Sequence, residues 1–267
     1  MLVFPNAKIN IGLNITQKLP TGYHHIESCF YPIPLTDALE VIKADVLSFT
    51  SSGIDIPGNK KENLCLRAYH LVKEAYDIPP IAIHLHKKIP VGAGLGGGSA
   101  DGAFMIKLLN AKFELEMSAT QMETMAGKLG SDCPFFIKNK PMFVEGTGNV
   151  FSKIDLSLTG YYLVLAMPNI HVSTKKAYAA IIPQKPKTHL KKELENTSIA
   201  DFQKSIKNGF EIPVFNQHPE LNKIKNQLVK QGALYASMSG SGSSVYGIFK
   251  NNPQLVSKLE FSVFKLD

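Results

Sequence analysis

The residues Pro90 to Gly102, PVGAGLGGGSADG, constrain this chain more than any other stretch. Six glycines fall between Gly92 and Gly102, and no side chain larger than Leu95 interrupts them. Ser99 then opens a run with apolar residues at Ala103, Phe104, Ile106, Leu108 and Leu109. The pattern predicts a glycine-rich loop feeding the N-terminus of a helix, with Ser99 as its N-cap. Backbone without Cβ atoms can turn its N–H groups inward and approach a ligand closely. The helix start adds unpaired N–H groups and a partial positive charge, so the device suits phosphate. A strand pattern before it and an apolar helix after it argue against a flexible linker.

Two familiar phosphate devices fit less well. A Walker loop ends in lysine followed by Ser or Thr, and no lysine precedes Ser99. Gly92, Gly94 and Gly97 satisfy GxGxxG, but a dinucleotide fingerprint follows a buried strand and is paired with a distant ribose-binding acid. Here Ile81, Ile83, Leu85 and Ile89 alternate with Ala82, His84, His86 and Lys88, the pattern of a half-exposed strand that Pro90 breaks. Glu114 or Glu116 could serve as the acid, though nothing marks either one.

Composition narrows the function classes. A chain of 267 residues can bury a good core as one large or two small domains. No apolar run is long enough to span a bilayer, and Met1 leads into an alternating pattern rather than a signal peptide, so the expectation is a cytoplasmic protein with no membrane partner. Cys29, Cys65 and Cys133 show no CxxC spacing and read as reduced thiols rather than disulfides or a zinc site. The formal charge is +7, yet Arg67 is the sole arginine. Nucleic-acid readers use arginine heavily, so the lysine excess points to small anionic ligands and no nucleic acid.

Taken in order, Asn6 to Ile15 alternates strictly. Ala7, Ile9, Ile11, Leu13 and Ile15 take one face, and Asn6, Lys8, Asn10, Gly12 and Asn14 take the other. Lys8 and Asn10 therefore project together; spacing alone reads that lysine as a solvated strand residue or a functional one. Pro20-Thr21-Gly22 makes a turn presenting Tyr23, His24 and His25, either a stacking clamp or an exposed loop. Strands are expected from Phe30 to Phe49, with turns at Pro32, Pro34 and Ser51-Ser52-Gly53. A helix from Asn63 to Tyr76 carries Leu64, Ala68, Leu71, Val72 and Ala75 on one stripe. Ser118 to Gln121 is a capping box for a helix that Gly130 stops. Asp132 follows, in SDCPFF, as a turn cap or as a base held with few water neighbours. Gly146-Thr147-Gly148 marks a turn, and a polar connection over 152–160 gives a soft boundary, dividing the chain into 1–152 and 153–267. Ser173 and Thr174 can cap a helix through Tyr178, and 184–192 is a Lys- and Pro-rich loop. The small-residue loop Ser239 to Ser244 lies between strands at Leu234–Met238 and Val245–Phe249. A helix and strand over 255–264 close the chain.

Three separated segments, FPNAKINIGLNI with PTGYHHIES, PVGAGLGGGSADG, and MSGSGSSVYGIF, resemble the three signature segments of the GHMP small-molecule kinases. The similarity covers essentially the whole chain. Within that superfamily, the PNAKINIGLNI opening, the GYH turn, the ENL helix start and LGSDCPFF most resemble the branch acting on a cytidyl diphosphate ester. Departures are Ala93 and Ala100, where glycine and a small polar residue are common, Cys133 in place of valine, and Tyr178 where phenylalanine is frequent.

The resemblance implies a two-domain α+β fold, an ATP-binding domain over 1–152 and a substrate-binding domain over 153–267 meeting at an active-site cleft. It implies ATP as co-substrate with Mg²⁺, a small-molecule acceptor, and a monomer or homodimer. Carried over by position, Lys8 and Asp132 are the catalytic pair. Pro90, Val91, Gly92, Ala93, Gly94, Leu95, Gly96, Gly97, Gly98, Ser99 and Ala100 wrap the triphosphate, and Asn63 approaches the adenine. Tyr23, His24 and Tyr178 hold the cytosine, and Asn10 lies beside the sugar-alcohol moiety. The metal ligands are left open. A mevalonate- or homoserine-type kinase would keep the glycine loop without the GYH clamp. A non-catalytic nucleotide-binding protein would need neither Lys8 nor Asp132.

Overall fold

A computed structural model describes residues 1–256 and 260–267. Among them the strands are β1 (Leu2–Val3), β2 (Asn6–Lys18), β3 (His24–Thr36), β4 (Ala38–Lys43), β5 (Ser48–Gly53), β6 (Ile81–Lys87), β7 (Met142–Glu145), β8 (Val150–Lys153), β9 (Tyr162–Ala166), β10 (Tyr235–Met238), β11 (Val245–Phe249) and β12 (Phe261–Lys265). The α-helices are α1 (Leu64–Ala75), α2 (Gly97–Lys112), α3 (Ala119–Gly127), α4 (Phe135–Lys138), α5 (Thr174–Ala179), α6 (Leu190–Asn196), α7 (Phe202–Ser205), α8 (Glu211–Gln217) and α9 (Pro219–Lys230). Of the closing helix and strand expected over 255–264, residues 257–259 lie outside the described residues and the strand is β12.

The chain forms two compact units. The first holds Met1–Lys8, Pro32–Val91 and Gly96–Lys140; the second holds Ile9–Tyr31, Gly92–Leu95 and Pro141–Asp267. These units are interleaved along the chain rather than being consecutive halves.

In the first unit the sheet order is β1-β4-β6-β5, with β4 antiparallel and β5 parallel to β6. Ile81, Ile83 and Leu85 of β6 are buried as their spacing predicts, and Lys87 continues on that same buried face. Helix α1 buries Cys65, Ala68, Tyr69 and Val72. That face is rotated from the expected stripe, because Tyr69 fills the core while Ala75 stays exposed. Gly102 lets α2 approach α1: a Cβ there would stand 3.0 Å from the Leu64 Cβ. Ser118 makes the expected capping box with Gln121.

In the second unit one sheet runs β10-β11-β9-β12, all antiparallel. Both central strands are buried, and the amphipathic α9 lays Leu221, Ile224 and Leu228 into the cluster that includes Val164, Ala236 and Val245. The other sheet is β2-β3-β7-β8.

Two local expectations fail. Pro32 and Pro34 sit inside β3, not at turns. Pairing of β3 with β7 ends at Phe30, so the prolines lie beyond that ladder, where a missing N–H costs little, while Ile33 and Leu35 keep the buried alternation. Ser51, Ser52 and Gly53 likewise extend β5, held in parallel register against Leu85 to Lys87. Both faces of β2 are also buried through Leu13, and of the two readings left open for Lys8 the solvated one is excluded. No helix among the described residues is long and apolar enough to cross a membrane.

Because the Ser118 hydroxyl and the Gln121 side chain each satisfy a backbone N–H at the start of α3, Ser118→Ala should cost roughly 0.5–2 kcal/mol. Urea unfolding at constant slope would read this as a lower midpoint.

Candidate active site

In the first unit the glycine-rich loop ends at Gly96, which has φ 70° and precedes α2. Ser99 is therefore not the N-cap: it sits inside the first turn, and the cap position is a left-handed glycine with no side-chain bond. A glycine cap leaves the first N–H groups of α2 without a side-chain acceptor, the condition an anion requires. Gly98 faces open space, with no atom within 4 Å of where its Cβ would lie.

Lys8 meets the same turn. A Cβ on Gly96 would stand 3.2 Å from the Lys8 stem and 3.0 Å from the Phe136 ring. The Lys8 ammonium lies 3.7 Å from an Asp132 carboxylate oxygen, with side chains 5% and 31% exposed. Burial lowers the Lys8 pKa, and the Asp132 charge only partly restores it. Asp132 is more open to water than an acid wedged among apolar groups would be. It is also not the cap of the following helix, since α4 has Pro134 at that position with no side-chain cap bond. Cys133 is buried beside the Ser99 hydroxyl; burial pushes its thiol up to about 11.

A cavity of about 320 Å³ opens next to Gly98, lined by Phe49, Ile56, Asn59, Asn63, Leu64 and Val91 among others. Its size suits a nucleoside. Asn63 lines this cavity, but its side-chain oxygen is occupied in capping α1, accepting from Cys65 N–H at 2.9 Å.

Lys87 and Asp101 also line the cavity and belong to a buried cluster that sequence reading missed. Lys87 Nζ donates to Asp37 Oδ2 and, at 2.8 Å, to Asp101 Oδ2. Asp37 Oδ1 accepts the backbone N–H groups of Lys88 at 2.6 Å and Ile89 at 2.8 Å. Burial, opposed by Lys87, pushes Asp101 up to about 7, and its Oδ1 is buried without a hydrogen-bond partner. Burial works to discharge Lys87, yet Asp101 and Asp37 together hold its pKa above the ordinary value. The signal in the sequence was the period of β6: a lysine at the position that should bury another Ile or Leu.

The second unit carries the loop apex, Gly92 to Leu95. Gly94 has φ 78°, and any Cβ there would collide with the Ser239 carbonyl oxygen. The Ser239 hydroxyl donates to the Gly94 carbonyl at 2.8 Å and accepts the Asn10 backbone N–H at 3.2 Å. Asn10 Nδ2 donates to Ser28, and the Tyr246 hydroxyl donates to the Asn10 carbonyl. Asn208 donates to the carbonyls of Met238 and Gly240, and Glu211 accepts Met238 N–H, so the second small-residue loop is held from both sides.

The turn residues divide. Tyr23 is 68% exposed, whereas His24 is buried and stacks on Tyr178 with ring centroids 5.0 Å apart and planes at 28°. Tyr178 in turn meets the Phe210 ring edge-on at 4.8 Å. The structure thus brings His24 and Tyr178 together and leaves Tyr23 reaching outward. Burial, then the Lys18 charge, lowers the His24 pKa, which favours a neutral ring with one donor and one acceptor.

Residues 63–140 match the model of the GHMP kinases N terminal domain, and residues 190–260 match the GHMP kinases C terminal model. The chain is 50% identical to 4-diphosphocytidyl-2-C-methyl-D-erythritol kinase of Parabacteroides distasonis, over 94% of this chain and 92% of that one. Its identity to the enzyme of that name from Bacteroides fragilis is 49%, over 98% and 96%. A crystal structure of 4-(cytidine 5'-diphospho)-2C-methyl-D-erythritol kinase superposes with a TM-score of 0.78 at 30% identity, covering 93% of this chain and 90% of that chain. Mevalonate kinase of Methanococcus jannaschii, at TM-score 0.71 and 16% identity, shares the fold.

Since burial holds the Lys8 pKa below 10.5 in the folded chain, the folded state binds that proton less tightly than the unfolded one. A charged Lys8 therefore opposes folding, fully below its folded pKa and less as pH climbs toward 10.5. Lys8→Met should raise the melting temperature at pH 7, and the gain should shrink as the pH approaches 10.5; a lower melting temperature at pH 7 would contradict this.

Proposed function

The chain belongs to the GHMP kinases, and from that premise we propose that it transfers the γ-phosphoryl group of ATP to the 2-hydroxyl of 4-diphosphocytidyl-2-C-methyl-D-erythritol, a step of non-mevalonate isoprenoid precursor synthesis. The observation that carries the chemistry is the Lys8–Asp132 pair at 3.7 Å, with the Lys8 stem packed on Gly96 of the glycine loop. The choice of acceptor rests on near-full-length identity of about half to relatives of that name. Likeness to mevalonate and homoserine kinases, at 16–17% identity, speaks for the fold alone.

Phosphoryl transfer passes through a loose transition state, so catalysis is mainly positioning and charge stabilisation. The N–H groups of the glycine loop, together with those of the first turn of α2 before Ala100, whose own N–H donates to the Gly96 carbonyl, face the phosphates. The cavity beside Asn63 receives the adenosine. Lys8, poorly hydrated and close to the loop, stabilises charge developing on the transferred group. Asp132 takes or orients the proton of the attacking hydroxyl, and its partial exposure leaves room for that hydroxyl. The neutral His24 ring edge and the Tyr178 face read the cytosine, with Tyr23 closing over it from outside, and Asn10 contacts the methylerythritol.

Mg²⁺ would enter with the nucleotide. Among the described residues no three His, Cys, Asp or Glu side chains gather into a metal site. Mg²⁺ in phosphate chemistry commonly keeps waters and phosphate oxygens and takes one or two protein oxygens; Asp132 and the Ser99 hydroxyl would be the donors for it, and it would supply positive charge to the phosphates. A cytoplasmic location agrees with three buried free cysteines, and a monomer or homodimer completes the reading.

Asp132→Asn keeps the side-chain shape but cannot accept a proton, so kcat should fall by about 10²–10⁴ with both KM values nearly unchanged. A coupled assay with the cytidyl substrate, run beside mevalonate and homoserine, checks this; a stable variant with wild-type kcat would remove Asp132 from the chemical step. Tyr178→Ala should raise KM for the cytidyl substrate by about tenfold, the loss of one stacking partner, with the KM for ATP unmoved. An equal rise for both substrates would count against the clamp.

A further inference from the structure

Both feet of the glycine-rich loop rest on one buried cluster. The loop leaves β6 after Lys87, and Asp101 lies in the early turns of α2; Lys87 Nζ joins that strand end to Asp101 Oδ2 at 2.8 Å. Asp37, at the β3–β4 junction, grips the departing backbone through the N–H groups of Lys88 and Ile89 and shares the same ammonium. All three side chains are essentially closed to solvent, at 0–5% exposed. The ammonium lies directly beneath the helix start, since a Cβ on Gly97 would stand 3.3 Å from Lys87 Nζ.

We propose that Asp37, Lys87 and Asp101 are positioning residues for phosphoryl transfer: a carboxylate–ammonium–carboxylate clasp that sets the distance between the two feet of the loop and so preassembles its N–H groups for the polyphosphate. This rests on the reading that the loop cradles ATP. Fold stability alone does not account for the cluster, because apolar side chains of similar volume commonly replace buried ion groups without loss. What such replacement gives up is directional fixing of two segments against each other. Thirteen residues, 88–100, separate the lysine from Asp101 along the chain, most of them the glycine loop, whose backbone has little stiffness of its own. A loop whose feet can drift must be ordered when the nucleotide arrives, and that ordering weakens binding.

Asp101→Ala tests the clasp, with Asp101→Asn as the conservative variant that retains an oxygen for Lys87. The KM for ATP should rise about tenfold in the alanine variant and recover most of that loss in the asparagine variant. The KM for the cytidyl acceptor should stay within twofold, and inhibition by adenosine, which carries no phosphate but fills the cavity that Asp101 lines, should weaken far less than the ATP KM rises. If Asp101→Ala fails to fold, the variant combining Asp37→Asn, Lys87→Met and Asp101→Leu removes all the charges together while keeping an acceptor for the two backbone N–H groups, and the same pattern is expected of it. An ATP KM within twofold of wild type in a folded variant overturns the proposal. So does an equal loss for adenosine, which would mark a direct nucleoside contact, or an equal loss for the acceptor, which would mark general damage. Gly98→Val runs alongside: its Cβ meets no neighbour in the fold but blocks close approach of phosphate. If Gly98→Val and Asp101→Ala both leave the ATP KM normal, the cradle reading itself fails. If Gly98→Val is impaired and Asp101→Ala is not, the clasp alone fails.

Discussion

The backbone of the glycine loop is held in a left-handed conformation that needs outside support, and this requirement organises the structure around it. Gly92, Gly94 and Gly96 hold φ values of 72°, 78° and 70°, a left-handed alternation that side chains disfavour. Such a loop gains little from its own hydrogen bonds, so its shape comes from what it leans on. Gly94 is pressed against Ser239, Gly96 against Lys8 and Phe136, and Gly97 against Ile89, with 2.7 Å to where its Cβ would be. The glycines thus bring the loop close enough to its neighbours for support, while Gly98 faces open space.

The same economy governs charge. Burial makes the Lys8 ammonium costly, and Asp132 compensates in part. A cation poorly solvated by water is well placed to answer negative charge that appears during reaction. Arg67 is the sole arginine and is bonded to the Lys128 carbonyl, so on the proposed reading lysine and backbone dipoles take the part that a guanidinium plays in other phosphoryl-transfer enzymes.

Much of this was legible in the sequence, and the exceptions share a cause. The loop, the Ser118 capping box, the alternation of β6 and the strand pair around Ser239–Ser244 are local patterns, and each appears where spacing puts it. The family resemblance through the three signature segments matches the comparisons. What spacing could not supply is what lies across from a residue. Lys8 sits on the nominally polar face of β2, yet that face is covered, so a solvated lysine becomes a buried one. Asp37 carries no local signal, because its partners, Lys87 to Ile89, are about fifty residues away. Pro32 and Pro34 punctuate the sequence, but the extended backbone accepts them where pairing with β7 has ended. Ser99 is the natural cap by residue type; a left-handed glycine three residues earlier starts the helix instead.

The interleaving of the two units bears on how the chain comes off the ribosome. The second unit draws on Ile9–Tyr31 and then on nothing longer than Gly92–Leu95 until Pro141. Its early strands therefore emerge long before the residues they must pack with, such as Lys207, whose carbonyl accepts the Leu13 N–H at 2.8 Å. At about 5–20 residues per second, that interval lasts roughly ten seconds or more. During it the apolar face of Ile9 to Ile15 has no lasting partner within its own unit. Contacts of such long sequence separation fold slowly and expose strand edges to other chains. Cutting the chain at its midpoint therefore yields two fragments of which neither carries a complete core.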